Sequence, residues 1–149
     1  MKTILKSAIL VTALAATLPA AEAATASGNF NLTVNLLGAC RISTAPGLIT
    51  INYTAFQGTD GTGSTPFAVQ CSSNLAYTMA VSLPGANNIA TSLGLTVTSI
   101  APSAAGNTGS GVAQPYTVDA VIAQGQAGIC NSSTVACTAT NAYTLTISY

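Results

Sequence analysis

The chain has 149 residues, of which 49% are hydrophobic and only 4% charged, with no histidine and a formal net charge of zero. This length is enough for one domain with its own hydrophobic core. The scarcity of lysine and arginine argues against a nucleic-acid partner, because phosphate binding depends on clustered basic side chains.

The first 23 residues have the three-part plan of a secretory signal. Two lysines precede an apolar run over residues 8–18, and Ala21-Glu22-Ala23 predicts cleavage after Ala23. The apolar run is shorter than the roughly 20 residues that span a bilayer, and polar residues interrupt every later hydrophobic stretch. We therefore expect an exported mature chain, residues 24–149, with no integral membrane segment.

The mature chain would retain very few charges. Its charged side chains are Arg41, Asp60 and Asp119. The remaining surface must be built from Ser, Thr, Asn, Gln and Gly, which repel neighbouring copies little. Such a surface favours self-association.

Residues 28–37, with the sequence GNFNLTVNLL, predict a strand with one apolar face. Apolar side chains occupy every second position, with Asn and Thr between them. The apolar positions are Phe30, Leu32, Val34 and Leu36. We predict that residues 24–37 form a donor segment whose strand completes the sheet of another copy. Pairing of the same strand within its own chain is the alternative.

The middle of the chain contains short alternating runs separated by turn signals. We predict strands at residues 48–53, 67–71, 75–83, 93–97 and 116–122. The Gly-rich stretches 57–65 and 102–114 are predicted to be surface loops. Because the chain contains no amphipathic run of helical length, these strands predict an all-β sandwich.

The chain closes on another alternating run. Its apolar positions are Tyr143, Leu145, Ile147 and Tyr149. Threonine and serine lie between them, as expected for a half-buried strand. We predict that this strand borders the groove that accepts a donor strand.

The four cysteines predict disulfides in an oxidising compartment. They are Cys40, Cys71, Cys130 and Cys137. Three connectivities are possible, and Cys40–Cys71 with Cys130–Cys137 is the simplest because the second pair closes a short loop. The absence of histidine and of a CxxC spacing disfavours a metal site.

The residues needed for catalysis are missing. Asp60 lies in a Gly-rich stretch and Asp119 at an outward position of a strand, so both carboxylates are predicted to be solvated. A serine nucleophile would have neither histidine nor lysine as its base in the mature chain. Gly58, Gly61 and Gly63 are not followed by a lysine and a helix, as a phosphate-binding loop requires. We therefore predict no enzyme activity, no cofactor and no metal.

Four features follow one another in a definite order. They are the alternating first strand leading into Gly38-Ala39-Cys40, the stretch Pro66-Phe67-Ala68-Val69-Gln70-Cys71, the run Tyr116-Thr117-Val118 followed by Gly125-Gln126, and the final strand ending in Tyr149. In this order the mature chain resembles the spore coat protein U domain family, which includes the pilin subunits of archaic chaperone–usher pili. It differs from that family where residues 130–137 replace a short Gly-containing turn.

The resemblance implies an incomplete immunoglobulin-like sandwich, residues 38–149, that lacks its last strand and pairs Cys40 with Cys71. It also implies three partners: a periplasmic chaperone, an outer-membrane usher and other pilus subunits in a head-to-tail homopolymer. The expected function is that of a structural subunit of a surface pilus, with a role in adhesion or biofilm formation. The subunit would cross the periplasm and end at the cell surface.

Two other functions are compatible with the sequence. The first is a monomeric exported binding module with its ligands held by residues 57–65 and 102–114. The second is a secreted spore-coat or matrix protein of the same fold.

Overall fold

The structure is a computed structural model, and it describes residues 26–149. The predicted signal at residues 1–23 lies outside the described residues. The chain divides into two units, Met1–Val34 and Asn35–Tyr149. The strands and the helix described below belong to the second unit.

The second unit consists mainly of short strands. In chain order the elements are β1 Cys40–Thr44, β2 Gly61–Cys71, β3 Ala76–Ser82, α1 Asn88–Leu93, β4 Val97–Pro102, β5 Gly106–Thr108, β6 Ala113–Ile122 and β7 Thr144–Ser148. They form two antiparallel sheets, ordered β1-β2-β6-β4 and β5-β3-β7. Within residues 26–149 the structure is therefore all-β apart from the short helix α1, as the alternating sequence predicted.

The core lies between the two sheets. Its most deeply buried members are Phe67, Val69, Cys71 and Val118 from the first sheet and Tyr77 and Met79 from the second. The inner face of β2 alternates with exposed or half-buried positions, as the period-2 pattern requires. The rings of Phe67 and Tyr116, which face each other across β2 and β6, have centroids 5.5 Å apart.

The antiparallel pairing of β2 with β6 defines two ends of this unit. Gly61 pairs with Ile122 at one end of the ladder and Gln70 with Ala113 at the other. We call the first the Phe56 end, after the loop that precedes β2, and the second the Arg41 end, after the residue of β1 that pairs with Gln70.

Both disulfides of the simplest connectivity are present. Cys40–Cys71 joins directly paired positions of β1 and β2, and Cys130–Cys137 closes a loop between β6 and β7. Two disulfides are typical of an oxidising, exported environment. None of the helices within residues 26–149 has the length and apolar character needed to cross a membrane.

Three stretches differ from the strand and loop predictions. Residues 61–65 form the first half of β2 rather than a loop, because β6 supplies a pairing partner for them. Residues 106–108 form β5 within the predicted loop 102–114. The predicted run 93–97 instead joins α1 to β4. Asn87 caps the helix by accepting from the Ala90 N–H, and Gly94 ends it in the left-handed conformation.

Residues 48–53, which were predicted to form a strand, show the alternating burial of a strand but are not part of either sheet. Ile49, Ile51 and Tyr53 are half-buried, and the residues between them are exposed. The predicted alternation of side chains is present, but the prediction of a strand was wrong. Pairing requires a neighbouring backbone, which a local pattern cannot supply.

Candidate functional site

Segment 48–53 packs over the inner face of β2. Its start is held by the Gly47 N–H, which donates to Thr65 Oγ1 at 2.8 Å, and its end by the Tyr53 hydroxyl, which donates to the Ala123 carbonyl at 2.9 Å. A Cβ added at Gly63 would lie 2.6 Å from Ile49 Cγ2. Glycine in β2 is therefore what lets the segment approach so closely.

The main chain of segment 48–53 has no hydrogen-bond partner in the part of the chain that the structure describes. None of its backbone N–H or C=O groups takes part in a hydrogen bond to other described residues. Buried backbone groups in folded proteins are nearly always paired. An extended segment with one apolar face and unpaired main-chain groups has the properties of an edge to which a strand can be added.

β7 presents a second open edge. It pairs with β3 on one side, and no strand within residues 26–149 is hydrogen-bonded to its other side. The Leu75 carbonyl accepts from the Gly109 N–H and the Met79 N–H donates to the Ala105 carbonyl, so the odd-numbered residues of β3 bond towards β5. Because bonding directions alternate along an antiparallel ladder, the even-numbered residues of β3 and β7 bond to each other. The backbone groups of Leu145 and Ile147 therefore point to the open edge.

A cavity of about 490 Å³ is lined by residues of both sheets and is bordered by both β7 and segment 48–53. We call it the central groove. The inner-face side chains that line it are Val118, Ala120 and Ile122 of β6, Val97 and Ile100 of β4, Thr65 of β2, Val81 of β3 and Leu145 of β7. Of these residues, Thr65, Val118, Ala120 and Ile122 are buried and the other four are half-buried, so the groove has a mostly aliphatic lining.

One part of the groove wall is formed by α1 and residues 136–141. Asn141 ties the two together, because its Oδ1 accepts from the Ile89 N–H at 3.3 Å and its Nδ2 donates to Asn87 Oδ1 at 2.9 Å. Ile89 and Leu93 of the helix line the groove. The Cys130–Cys137 disulfide closes the loop that leads into this wall.

The predicted acceptor residues fall at β7 and its flanks. Tyr143 and Leu145 line the groove, and Leu145 and Ile147 pack partly against the core. Tyr149 follows the strand and is exposed. The acceptor prediction named only residues of the closing strand, whereas several other segments also line the groove. Only the Asn87 cap and Gly94 signalled α1, and no local signal indicated that segment 48–53 would lack a partner.

The predicted donor residues are exposed. Phe30, Leu32, Val34 and Leu36 have 87%, 80%, 76% and 88% of their surface accessible. Residues 26–39 contain no assigned strand. Four large apolar side chains, regularly spaced and left in water, are a marked departure from the usual surface of a soluble chain.

The chemistry that the groove offers is burial and main-chain pairing. Tyr143 is the one titratable side chain among its lining residues, since Cys137 is oxidised. Asp60 and Asp119 are exposed, and Asp60 Oδ1 accepts from the Gln124 N–H at 2.9 Å. Among residues 26–149, no three or more histidine, cysteine, aspartate or glutamate residues cluster as metal ligands would.

Comparison with known proteins gives no match: no family model fits the chain, and no curated protein or solved structure is significantly similar to it. The interpretation of the groove therefore rests on its own geometry and on the sequence pattern.

Proposed function

We propose that this chain is a structural subunit of a chaperone–usher type surface pilus that polymerises by donor-strand complementation. In this proposal the two sheets are an immunoglobulin-like sandwich that lacks one strand, and the strand at residues 28–37 of another copy fills the central groove. The observation that carries the proposal is the open edge of β7 beside an aliphatic cavity of about 490 Å³.

Burial of the donor side chains is the main source of binding energy. Phe30, Leu32, Val34 and Leu36 would each contribute roughly 1.5 to 3 kcal/mol on leaving water, or about 6 to 12 kcal/mol together as an upper estimate. Hydrogen bonds to the backbone of Leu145 and Ile147 would add a smaller net amount. Such a joint is tight and opens slowly.

The positions of donor and acceptor determine the form of the assembly. The donor precedes β1, whereas the groove lies between the two sheets, so the contact is head-to-tail rather than self-complementary. A head-to-tail contact gives an open filament unless its rotation happens to close a ring. A surface with few charges adds little repulsion to this assembly.

An open apolar groove also explains the partners that the proposal requires. An open strand edge beside an aliphatic groove is prone to aggregation before assembly. A periplasmic chaperone would cover the groove with its own strand, and an outer-membrane usher would exchange that strand for the next subunit's donor. The finished fibre would act at the cell surface in adhesion or biofilm formation.

Multimer formation by a two-residue donor variant tests the proposal. Leu32→Asp with Val34→Asp should abolish detergent-resistant multimers, because two carboxylates would have to enter the apolar groove. The matched control is Thr33→Asp with Asn35→Asp, which adds the same charge to the opposite face of the same strand and should leave the multimers intact. Multimers that persist in the first variant would show that this strand is not the donor.

The size of the central groove supports a second candidate, a monomeric exported binding module. A cavity of about 490 Å³ lies within the range of small-molecule sites. This function predicts a stable monomer of the mature chain that binds apolar small molecules and is indifferent to both pairs of substitutions. Size measurement of the two variants therefore separates the candidates.

A further inference from the structure

The loop before β2 is a rigid tip with an exposed aromatic ring. Phe56 is 73% exposed and has a φ of 62°, a left-handed conformation that a bulky residue rarely adopts. Three consecutive residues hold the loop: Gln126 O accepts from Phe56 N, Gly125 N donates to Gln57 O, and Gln124 N donates to Asp60 Oδ1, each at 2.9 Å. The fold thus maintains a strained backbone that presents Phe56 and the Asp60 carboxylate to solvent.

At the opposite end of the same unit, Arg41 lines a shallow pocket. The pocket has a volume of about 260 Å³ and is lined by Ala39, Cys40, Arg41, Gln70, Cys71, Ser72 and Gly111. Arg41 Nε and Nη2 both donate to Gln70 Oε1, at 3.0 and 2.6 Å, and Gln70 Nε2 donates to the Gly111 carbonyl at 2.8 Å. The guanidinium is therefore held in place, and within residues 26–149 its Nη1 group makes no hydrogen bond.

The proposed donor joint brings these two ends together. β7 runs from the Phe56 end, where Thr144 pairs with Ser82, to the Arg41 end, where Ser148 pairs with Thr78. A donor that pairs antiparallel to β7, the more stable arrangement, would place its Leu36 at the Phe56 end. Arg41 follows Leu36 by five residues, a reach of at most about 17 Å. The Arg41 end of the copy that donates its strand therefore lies beside the Phe56 end of the copy that accepts it.

We propose that successive copies also contact end to end, with the Phe56 tip of one copy seated in the Arg41 pocket of the next. This inference rests on the proposed donor joint and adds a second interface to it. The Phe56 ring lies against the Arg41 guanidinium as a cation–π pair, and Asp60 supplies the opposite charge. The charges are complementary only in this head-to-tail arrangement, since like ends would bring arginine to arginine or aspartate to aspartate.

Photo-cross-linking from position 56 tests the contact. The full-length chain with Phe56→p-benzoylphenylalanine is produced in ¹⁵N-labelled and unlabelled form, assembled as a mixture, irradiated and digested. Mass spectrometry should find mixed-label cross-links from position 56 to residues 39–41, 70–72 or 111. Intact multimers whose cross-links lie elsewhere, or that give none, would overturn the proposal.

Two controls separate this contact from the donor joint. The same cross-linker at Asp119, in the middle of the outer face of β6, should not reach the Arg41 pocket. The Leu32→Asp, Val34→Asp variant should lose the mixed-label cross-links together with its multimers. A wild-type chain that forms no multimers would refute the proposed function and this contact together, whereas multimers without the cross-link refute the contact alone.

Charge exchange provides an independent measurement. Arg41→Glu alone, or Asp60→Arg alone, should make multimers dissociate about two- to fivefold faster, and the two together should restore the wild-type rate. Asp60→Asn retains an acceptor for the Gln124 N–H and measures the loss of charge alone. Thermal melting of each substitution in the Leu32→Asp, Val34→Asp background measures its effect on the monomer. Additive losses in the double variant would contradict the contact.

Discussion

Four polar side chains form a connected network at the edge of the core. The Tyr77 hydroxyl donates to Gln114 Oε1 at 3.0 Å and lies 2.6 Å from the Tyr116 hydroxyl, which accepts from Asn107 Nδ2 at 2.8 Å. Tyr77 is almost fully buried. Its burial, together with the hydrogen bond and charge of Tyr116, raises the pKa of the Tyr77 phenol above its ordinary value.

This raised pKa predicts an alkaline loss of stability. The unfolded phenol loses its proton near pH 10, whereas the folded one retains it, so the unfolded state binds fewer protons and the free energy of unfolding falls as pH rises beyond about 10. Below that pH the contribution is fully present. Urea unfolding across this range should show a shallower decline for Tyr77→Phe, which should also lose about 1 kcal/mol at neutral pH. Parallel wild-type and variant curves would contradict the assignment.

At the scale of the elements, residues 26–149 supply no strand to the outer edge of β7 and none that pairs with segment 48–53. β7 pairs with β3, segment 48–53 packs on β2, and both border the central groove. Between them the floor of the groove contains a small residue, Ala120, at a buried position of β6. A small side chain at that point leaves room for a side chain that comes from outside.

A larger side chain placed inside the groove should affect the stability of the monomer and the formation of multimers differently. We expect Ala120→Phe to leave the free energy of unfolding of the monomer unchanged or to raise it by about 0.5 to 2 kcal/mol, because the new ring occupies existing space. The same ring should prevent donor entry and abolish multimers. Ser64→Phe, at an exposed position on β2, is the control for adding an aromatic ring. Chemical denaturation and gel electrophoresis in detergent measure the two effects, and multimers at the wild-type level in Ala120→Phe would argue against the groove as the acceptor.

At the scale of the whole molecule, the proposed assembly joins the donor segment of one copy to the groove of another. A subunit that cannot donate should still accept, because the donor and the groove are separate parts of the chain. The Leu32→Asp, Val34→Asp variant should therefore retain an acceptor groove in which binding of a donor peptide can be titrated.

A synthetic peptide of residues 28–37 should stabilise that variant. At a concentration about 100 times the dissociation constant it should add about 2.7 kcal/mol and raise the melting temperature by about 10 °C. The control peptide carries aspartate at positions 32 and 34 and should have no effect. Equal melting temperatures with both peptides would mean that the groove does not recognise the donor's apolar face.

The period-2 pattern was sufficient to predict the all-β class and the positions of β3, β6 and β7. Alternation reports which side chains share a buried face, and that is a local property. The simplest of the three possible disulfide connectivities is the one observed, and the argument that favoured it was local, since Cys130 and Cys137 close a short loop. The apolar face of residues 28–37 could also be recognised from the sequence, because alternation is a local property.

Only the tertiary structure determined which backbone segments pair through hydrogen bonds. Segment 48–53 and β7 have the same kind of sequence pattern, yet β7 joins a sheet and segment 48–53 pairs with no strand among residues 26–149, because pairing depends on neighbours far away in the chain. The aliphatic groove between them, and the placement of Phe56 and Arg41 at opposite ends, are likewise relations between distant residues. The alternation in a sequence shows which face each strand buries. Whether a sheet has room for a further strand depends on how all the strands are arranged in three dimensions.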